Sequence, residues 1–187
     1  VLGSSEESLI MMLASAYLGA HHSICFEDLS LESIISRINI FEPDIILHLD
    51  STNSKLSSLD SNNLNKFCEI KEIKLTSIQN NVKYDTNIIS SPYKYNQNSS
   101  LFTLFTSGST GTPKGVVHNA VDYIKYANFS SQHFFGLNKN SVIFSATDAG
   151  WINGHTYAIY GPLINGSKTI ICENLNCLTE EGKLSSY

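Results

Sequence analysis

The 187-residue sequence predicts an α/β fold in which helices flank a largely parallel sheet. Apolar residues recur at helical spacing in residues 7–18 and again after Ser30. A short run of branched apolar residues, 45–49, follows the second of these patterns and is typical of a buried strand. Helices that alternate with short apolar strands indicate a parallel sheet.

Local signals set the boundaries of the elements in the first half. Gly19 is expected to end the first helix, because glycine readily adopts the left-handed conformation of a helix C-terminus. Residues 22–26 are predicted to form a short strand. Ser30 can cap the second helix, and Pro43 stops the helical pattern before the strand at 45–49.

Residues 51–100 differ in character from the rest of the chain. Asn, Ser and Lys dominate there, and apolar residues are few outside 67–78. Such a composition favours loops over a packed core. We therefore predict a divergent, partly flexible insertion or linker within a single domain.

The second half begins with an apolar run, residues 101–105, which is short enough for a buried strand and ends in a loop rich in Gly, Ser and Thr. The elements expected after the loop are a strand at 116–117, a helix from Asn119 or Asp122 to about Phe135, a strand at 142–146, a helix from about Asp148 to Leu163 that Gly166 ends, and a strand at 169–172. On the first of these helices, the candidate buried residues are Tyr123, Tyr126, Ala127 and Phe134.

Charge and cysteine content argue against several classes of function. The net charge of −5 and the single arginine, Arg37, give no electrostatic basis for binding nucleic acid or an anionic membrane. No apolar run approaches the roughly 20 residues that a membrane-spanning helix needs. The four cysteines are scattered without a Cys-x-x-Cys pair, which indicates a reducing compartment and a cytoplasmic location.

The loop at residues 106–115, Thr-Ser-Gly-Ser-Thr-Gly-Thr-Pro-Lys-Gly, has the chemistry of a phosphate-binding loop. Its three glycines let the backbone approach a ligand, and its five hydroxyls can donate hydrogen bonds to phosphate oxygens. Lys114 adds a positive charge that no carboxylate opposes. The loop is not a Walker A motif, since Pro113 precedes the lysine and Gly115 follows it. The plainer alternative is a solvated turn between two strands.

Two segments of the chain resemble a known family. Thr-Ser-Gly-Ser-Thr-Gly-x-Pro-Lys-Gly is similar to the phosphate-loop signature of the AMP-forming adenylating superfamily. Residues 147–166 contain Asp-x-Gly-Trp-x-x-Gly-His-x-Tyr-x-x-Tyr-Gly-Pro-Leu, which resembles the acetyl-CoA and propionyl-CoA synthetase branch. The resemblance covers most of the chain outside residues 51–100. It implies that residues 1–187 are part of the large N-terminal, AMP-binding domain of the adenylating fold.

The resemblance implies roles for residues of both segments. The acyl pocket would be lined by Trp151, Ile152 and Asn153. No residue within the chain is expected to be catalytic or to ligate a metal ion. The phosphates of ATP, with Mg²⁺ sharing their charge, would be held by Thr106, Ser107, Gly108, Ser109, Thr110, Gly111 and Lys114.

These three residues, 151–153, are called the acyl segment below. They favour a small acid, because the bulky indole of Trp151 would shorten a pocket; a core tryptophan is the alternative. Asn153 matches neither the Thr typical of acetyl-CoA synthetases nor the Val often found in propionyl-CoA synthetases. His155 could contact substrate or pack within its helix, whereas His118 is expected to be structural. Asp148 is expected to cap a helix.

The activity that the resemblance implies is that of an ATP-dependent, AMP-forming short-chain acyl-CoA ligase, which converts acetate to acetyl-CoA through acetyl-adenylate. Propionate is the alternative substrate. Glu27 and Asp28 replace two glycines that let the family's backbone approach coenzyme A, so adenylation is better supported than thioester formation. A non-catalytic nucleotide-binding module is therefore a second alternative. The family's catalytic lysine is expected outside this chain, and the isolated chain is expected to be inactive.

Overall fold

The computed structural model of the protein describes residues 5–25, 29–49, 58–72, 74–78, 91–108 and 111–171. The helices are α1 (Glu6–Leu18), α2 (Leu31–Phe41), α3 (Ser58–Ile70), α4 (Ala120–Phe135), a π-helix (Gly154–Tyr160) and α5 (Gly161–Ile164). The strands are β1 (Ile45–Leu49), β2 (Lys74–Ile78), β3 (Ser100–Thr106), β4 (Lys114–Asn119), β5 (Val142–Phe144) and β6 (Lys168–Ile170). None of the helices in the described ranges has the length and apolar character of a membrane-spanning segment.

The helix ends confirm the boundaries expected from the sequence. Gly19 ends α1 with a φ of 76°, in the left-handed region that glycine tolerates best. The Ser30 side chain caps α2, and the Asn119 side chain caps α4. The expected strands at 45–49, 142–146 and 169–172 are also confirmed, the last two with slightly different bounds.

The described strands pair in three groups of two, and only two of these groups are parallel. The strand β1 pairs with β2, and β5 pairs with β6, both in parallel. In contrast, β3 and β4 are antiparallel. Two of the three pairs agree with the prediction of a largely parallel sheet, and β3–β4 is the antiparallel exception, because a short connecting loop returns the chain directly alongside the strand it has just left.

The strand expected at residues 22–26 is mostly absent from the described part of that range. Only His22 forms a bridge, in parallel with Phe102 of β3. The His22 carbonyl accepts the Thr103 N–H at 2.9 Å, and the His22 N–H donates to the Leu101 carbonyl at 3.3 Å. These two bonds join the segment to β3 without extending into a ladder.

Residues 58–78 contain regular elements that the composition of 51–100 did not predict, whereas an insertion or linker role for the whole range stays a prediction. These elements are α3 and β2, and β2 pairs in register with β1 from Ile45 opposite Lys74 onwards. Leu64 and Cys68 of α3 are buried against Ile34 and other apolar residues of a small core. A few apolar residues at helical spacing are enough to dock this helix, although most of its residues are polar.

The larger core surrounds β3 and contains the buried face of α4. Tyr123 and Ala127 are buried there, as expected. Tyr126 and Phe134, predicted to be buried, are 58% and 68% exposed. Tyr126 lies beside the buried stripe of the helix, and Phe134 belongs to the last turn before Gly136, where the described structure leaves it uncovered.

We expect Asn119→Ala to lower the free energy of unfolding by about 1 kcal/mol. Asn119 Oδ1 accepts the N–H groups of Val121 at 3.0 Å and Asp122 at 3.2 Å, and its amide donates to the Gln97 carbonyl. Urea unfolding measures the change. Gln132→Ala, at an exposed position of α4, is the control and should shift the free energy by less than about 0.5 kcal/mol. Equal losses in both variants would contradict the cap.

Candidate functional site: a glycine-rich hairpin loop and the segment before the π-helix

The glycine-rich loop connects β3 to β4 and depends on glycine for its shape. Gly108 and Gly111 have φ values of 58° and 79°. A Cβ atom on Gly108 would lie 2.2 Å from the carbonyl oxygen of Thr112, closer than any real contact allows. The Gly111 N–H donates to the Gly108 carbonyl at 3.4 Å. A side chain at position 108 would therefore force the loop into another conformation.

The hairpin presents several of the expected phosphate-binding groups to solvent. Thr106 and Ser107 are exposed at the end of β3, and Lys114 is exposed at the start of β4. Thr106 and Lys114 are register partners, so their side chains are neighbours at the mouth of the hairpin. Ser109 and Thr110 lie outside the described residues. A phosphate-binding role for these residues stays a prediction.

Arg37 lies beside this hairpin, although sequence reasoning gave it no role in the site. Its Cζ atom is 5.7 Å from the centroid of the Phe105 ring in β3. Its Nη1 donates to the Ser33 carbonyl at 2.9 Å, which holds the guanidinium against α2. The chain's only arginine is thus a second cation near the loop, and its rarity was the only sequence signal for it.

A turn stabilised by Asp148 leads into the segment expected to line the acyl pocket. Asp148 Oδ1 accepts the Gly150 N–H at 2.7 Å, and its carbonyl accepts the Trp151 N–H at 3.1 Å. The expectation that Asp148 caps a helix is therefore wrong: its side chain closes the turn before the helix, and no side chain of the described residues caps the π-helix itself. Trp151, Ile152 and Asn153 follow and are all exposed, Trp151 by 62%. The alternative of a core tryptophan is therefore wrong, and the pocket role stays a prediction.

A π-helix follows this segment directly, and its start also requires glycine. A Cβ atom on Gly154 would lie 2.0 Å from the carbonyl oxygen of Asp148. Glycine therefore lets the helix approach the preceding turn. π-Helices are rare and occur often at functional sites, because the wider turn re-aims the residues around it.

His155 of this helix is packed in the core, which is one of the two alternatives expected from the sequence. Its side chain is fully buried, and its ring centroid lies 4.5 Å from that of Phe102 in β3. His118 stacks on the same phenyl ring at 4.6 Å, which agrees with its expected structural role. The π-helix and β3 therefore share one core.

The imidazoles of this core are held neutral. Burial lowers the pKa of His155 to about 3, helped by the nearby His22. Burial, with a smaller contribution from His21, lowers the pKa of His22 to about 4. Neither ring nitrogen of His155 makes a hydrogen bond of good geometry to a described residue, although backbone groups of Ala149 and Trp151 are close enough to oppose the shift.

No alternative metal centre emerges from the described residues. Among them, no group of three His, Cys, Asp or Glu side chains could hold a metal ion. His21 places Nε2 2.9 Å from the hydroxyl of Thr103. Glu27 and Asp28, which stand at the expected coenzyme A contact, lie outside the described residues.

Comparison with known proteins identifies the class of protein. Residues 1–184 match the family model described as AMP-binding enzyme, and the chain belongs to this family. It is 32% identical over 96% of its length to acetyl-coenzyme A synthetase 2 of Debaryomyces hansenii. It is 34% identical over 95% of its length to acetyl-coenzyme A synthetase of Helicobacter pylori. The chain spans about 30% of the length of each of these relatives.

A solved structure supports the fold assignment. The crystal structure of an acyl-CoA synthetase from Brucella canis matches this chain with a TM-score of 0.70 and 19% sequence identity. The match covers 91% of this chain and 31% of that one. The expectation of an α/β chain that forms part of the adenylating fold is confirmed.

We expect the protein to lose stability as the pH falls from about 6.5 towards 4. The unfolded chain binds protons at histidine below pH ~6.5, whereas folded His22 and His155 stay neutral until about pH 4 and 3. The unfolded state therefore holds more protons in this window, and the free energy of unfolding falls by up to about 1.4 kcal/mol per pH unit for each histidine. His21 and His118, whose pKa values burial also lowers, add to the effect.

Urea unfolding at a series of pH values between 4 and 7 measures this dependence. His155→Gln should reduce the slope, because one protonation difference between the two states is removed. His133→Gln, at an exposed position of α4, is the matched control for the loss of an imidazole elsewhere in the chain. A slope that is the same in His155→Gln and wild type would contradict a neutral, buried His155.

Proposed function

We propose that this chain is part of an ATP-dependent, AMP-forming short-chain acyl-CoA ligase. The main observation in support is the hairpin between β3 and β4, whose loop has hydroxyl donors and the exposed Lys114 but no carboxylate. Its strand β3 packs against the π-helix that follows Trp151. Membership of the AMP-binding enzyme family and the similarity to acetyl-coenzyme A synthetases point in the same direction. Because the chain spans about 30% of those relatives, the activity is proposed for a longer protein that contains it.

In the first step, a carboxylate oxygen of the acid attacks the α-phosphorus of ATP, and pyrophosphate leaves. The loop would hold the β- and γ-phosphates through Thr106, Ser107 and backbone N–H groups near Gly108 and Gly111, together with Ser109 and Thr110. Lys114 would neutralise the negative charge of the pyrophosphate. Magnesium, bound mainly through phosphate oxygens, would share that charge. Catalysis of this kind depends on positioning and charge more than on a nucleophilic side chain.

In the second step, the thiol of coenzyme A attacks the acyl carbon, and AMP leaves. This step has less support from the chain, because Glu27 and Asp28 would repel the phosphates of coenzyme A if they faced them. This pair of carboxylates favours two alternatives. One is a ligase that passes its adenylate to another acceptor, and the other is a nucleotide-binding module without activity. Residues outside this chain would complete the reaction, so the isolated chain is proposed to be inactive.

The acid would be acetate, with propionate as the alternative. The exposed Trp151, Ile152 and Asn153 form a bulky, partly polar surface at the start of the helical segment. A large indole leaves room for a short acyl chain only. The amide of Asn153 needs a hydrogen-bond partner when substrate covers it, which a short acid with a bound water could supply.

We expect pyrophosphate release from ATP by the complete natural protein to depend on a short acid. Release is measured with acetate, propionate, butyrate or no acid, each with and without coenzyme A. Turnover only with acid and coenzyme A together supports the ligase, and acid-dependent release that ignores coenzyme A indicates another acceptor. No release with any acid would contradict the enzymatic proposal in favour of the nucleotide-binding module.

We expect Lys114→Met in the complete protein to lower kcat/KM for ATP by about 10- to 100-fold, the effect of losing a charged hydrogen bond. Lys125→Met, which removes an exposed lysine from α4, is the charge-matched control and should behave like wild type. Steady-state pyrophosphate release measures both variants. If the two lysine variants lose activity to the same extent, the effect comes from net charge, and a phosphate contact by Lys114 is wrong.

A further inference from the structure

A chain of two hydrogen bonds connects α4 to Ile152 of the acyl segment. The hydroxyl of Tyr123 in α4 lies 2.9 Å from Oγ1 of Thr156 in the π-helix. Thr156 Oγ1 in turn donates to the carbonyl oxygen of Ile152 at 2.7 Å. Ile152 and the adjacent Asn153 are residues proposed to line the acyl pocket. Both Tyr123 and Thr156 are buried, with 8% and 3% of their surfaces exposed.

The donors of this chain can be assigned from the number of protons. A threonine hydroxyl carries a single proton, and that of Thr156 points to the Ile152 carbonyl. Tyr123 must therefore donate to Thr156 Oγ1 in the bond between the two hydroxyls. Burial raises the pKa of the Tyr123 hydroxyl, so it keeps this proton over the whole physiological range. Bonds that run in one direction polarise and strengthen one another in an apolar core.

The same tyrosine also contacts the strand that carries the phosphate loop. Its ring meets the ring of Phe102 edge to face, with centroids 4.7 Å apart and planes at 88°. Phe102 is fully buried, and β3 continues from it to Thr106 at the edge of the loop. Tyr123 is thus fixed on one side by β3, while its hydroxyl reaches towards the acyl segment.

We infer that Tyr123 and Thr156 are positioning residues that fix the Ile152 carbonyl, and with it the Ile152–Asn153 side chains, in the orientation that binds the acid. This inference rests on the proposed function. Neither residue touches substrate; each acts through the backbone at position 152. The hydrogen-bond chain matters because Ile152 lies in the first turn of the helical segment, directly after the turn at Asp148, and the Thr156 hydroxyl adds a side-chain bond to its carbonyl there.

Tyr160 provides a matched control within the same core. Its ring lies 5.8 Å from that of Tyr123, at 86°, and it is 4% exposed. Its hydroxyl has no hydrogen-bond partner among the described residues. Tyr123→Phe and Tyr160→Phe therefore remove the same atom from the same core, but only the first breaks the chain to Ile152.

The test uses the complete natural protein in four variants: Tyr123→Phe, Thr156→Val, Thr156→Ser and Tyr160→Phe. Hydrogen–deuterium exchange of the backbone at residues 150–157 reports whether the segment is held. Pyrophosphate release gives KM separately for the acid and for ATP. Thr156→Ser keeps the hydroxyl and should restore wild-type behaviour on both readouts.

We expect Tyr123→Phe and Thr156→Val to speed exchange at residues 150–157 and to raise KM for the acid by about 3- to 10-fold, with KM for ATP within about twofold of wild type. Tyr160→Phe should change neither. Equal exchange in Tyr123→Phe and Tyr160→Phe, or an equal rise of both KM values, would overturn the inference. A wild-type protein that releases no pyrophosphate would instead overturn the proposed function, and the exchange rates alone would then decide whether Tyr123 holds the segment.

Discussion

The packing around Phe102 is the interaction on which the rest of the described structure depends. This side chain is fully buried in β3, and its ring lies within 6.2 Å, centroid to centroid, of rings from several other segments of the chain. Those rings belong to His22, His118, Tyr123, His155 and Tyr160. Aromatic rings bury large areas and interlock in few geometries, so one phenyl group sets the relative positions of β4, α4 and the π-helix.

Three of the rings around Phe102 are imidazoles, and the core accepts them only as neutral groups. Burial lowers the pKa of each, which means that they pack as flat, weakly polar rings instead of cations. Because water is excluded from this uncharged core, the few hydrogen bonds inside it are not screened. The Tyr123–Thr156–Ile152 chain lies in this environment, and the proposed acyl segment takes its backbone position from it.

Local features of the fold could be read from the sequence, and long-range ones could not. Ser30 and Asn119 predicted helix starts because capping is a contact between residues three apart or fewer. The antiparallel pairing of β3 with β4 and the docking of α3 escaped prediction, since each depends on partners that composition does not reveal. The bond between Tyr123 and Thr156 joins two helices far apart in sequence, so the sequence could predict that Tyr123 is buried but not which residue its hydroxyl contacts.

The candidate site divides into exposed groups that would meet ligand and buried groups that would hold them in place. Thr106, Ser107 and Lys114 are exposed, so water satisfies them when no phosphate is present and the folded chain carries no cost for them. Precise geometry cannot come from such side chains alone, because exposed residues lose their rotamer freedom only on binding. It must come from the layer beneath, where Gly108 fixes the loop and Tyr123 reaches the acyl segment. Substitutions of these residues should therefore change ligand binding, although the residues themselves do not contact the ligand.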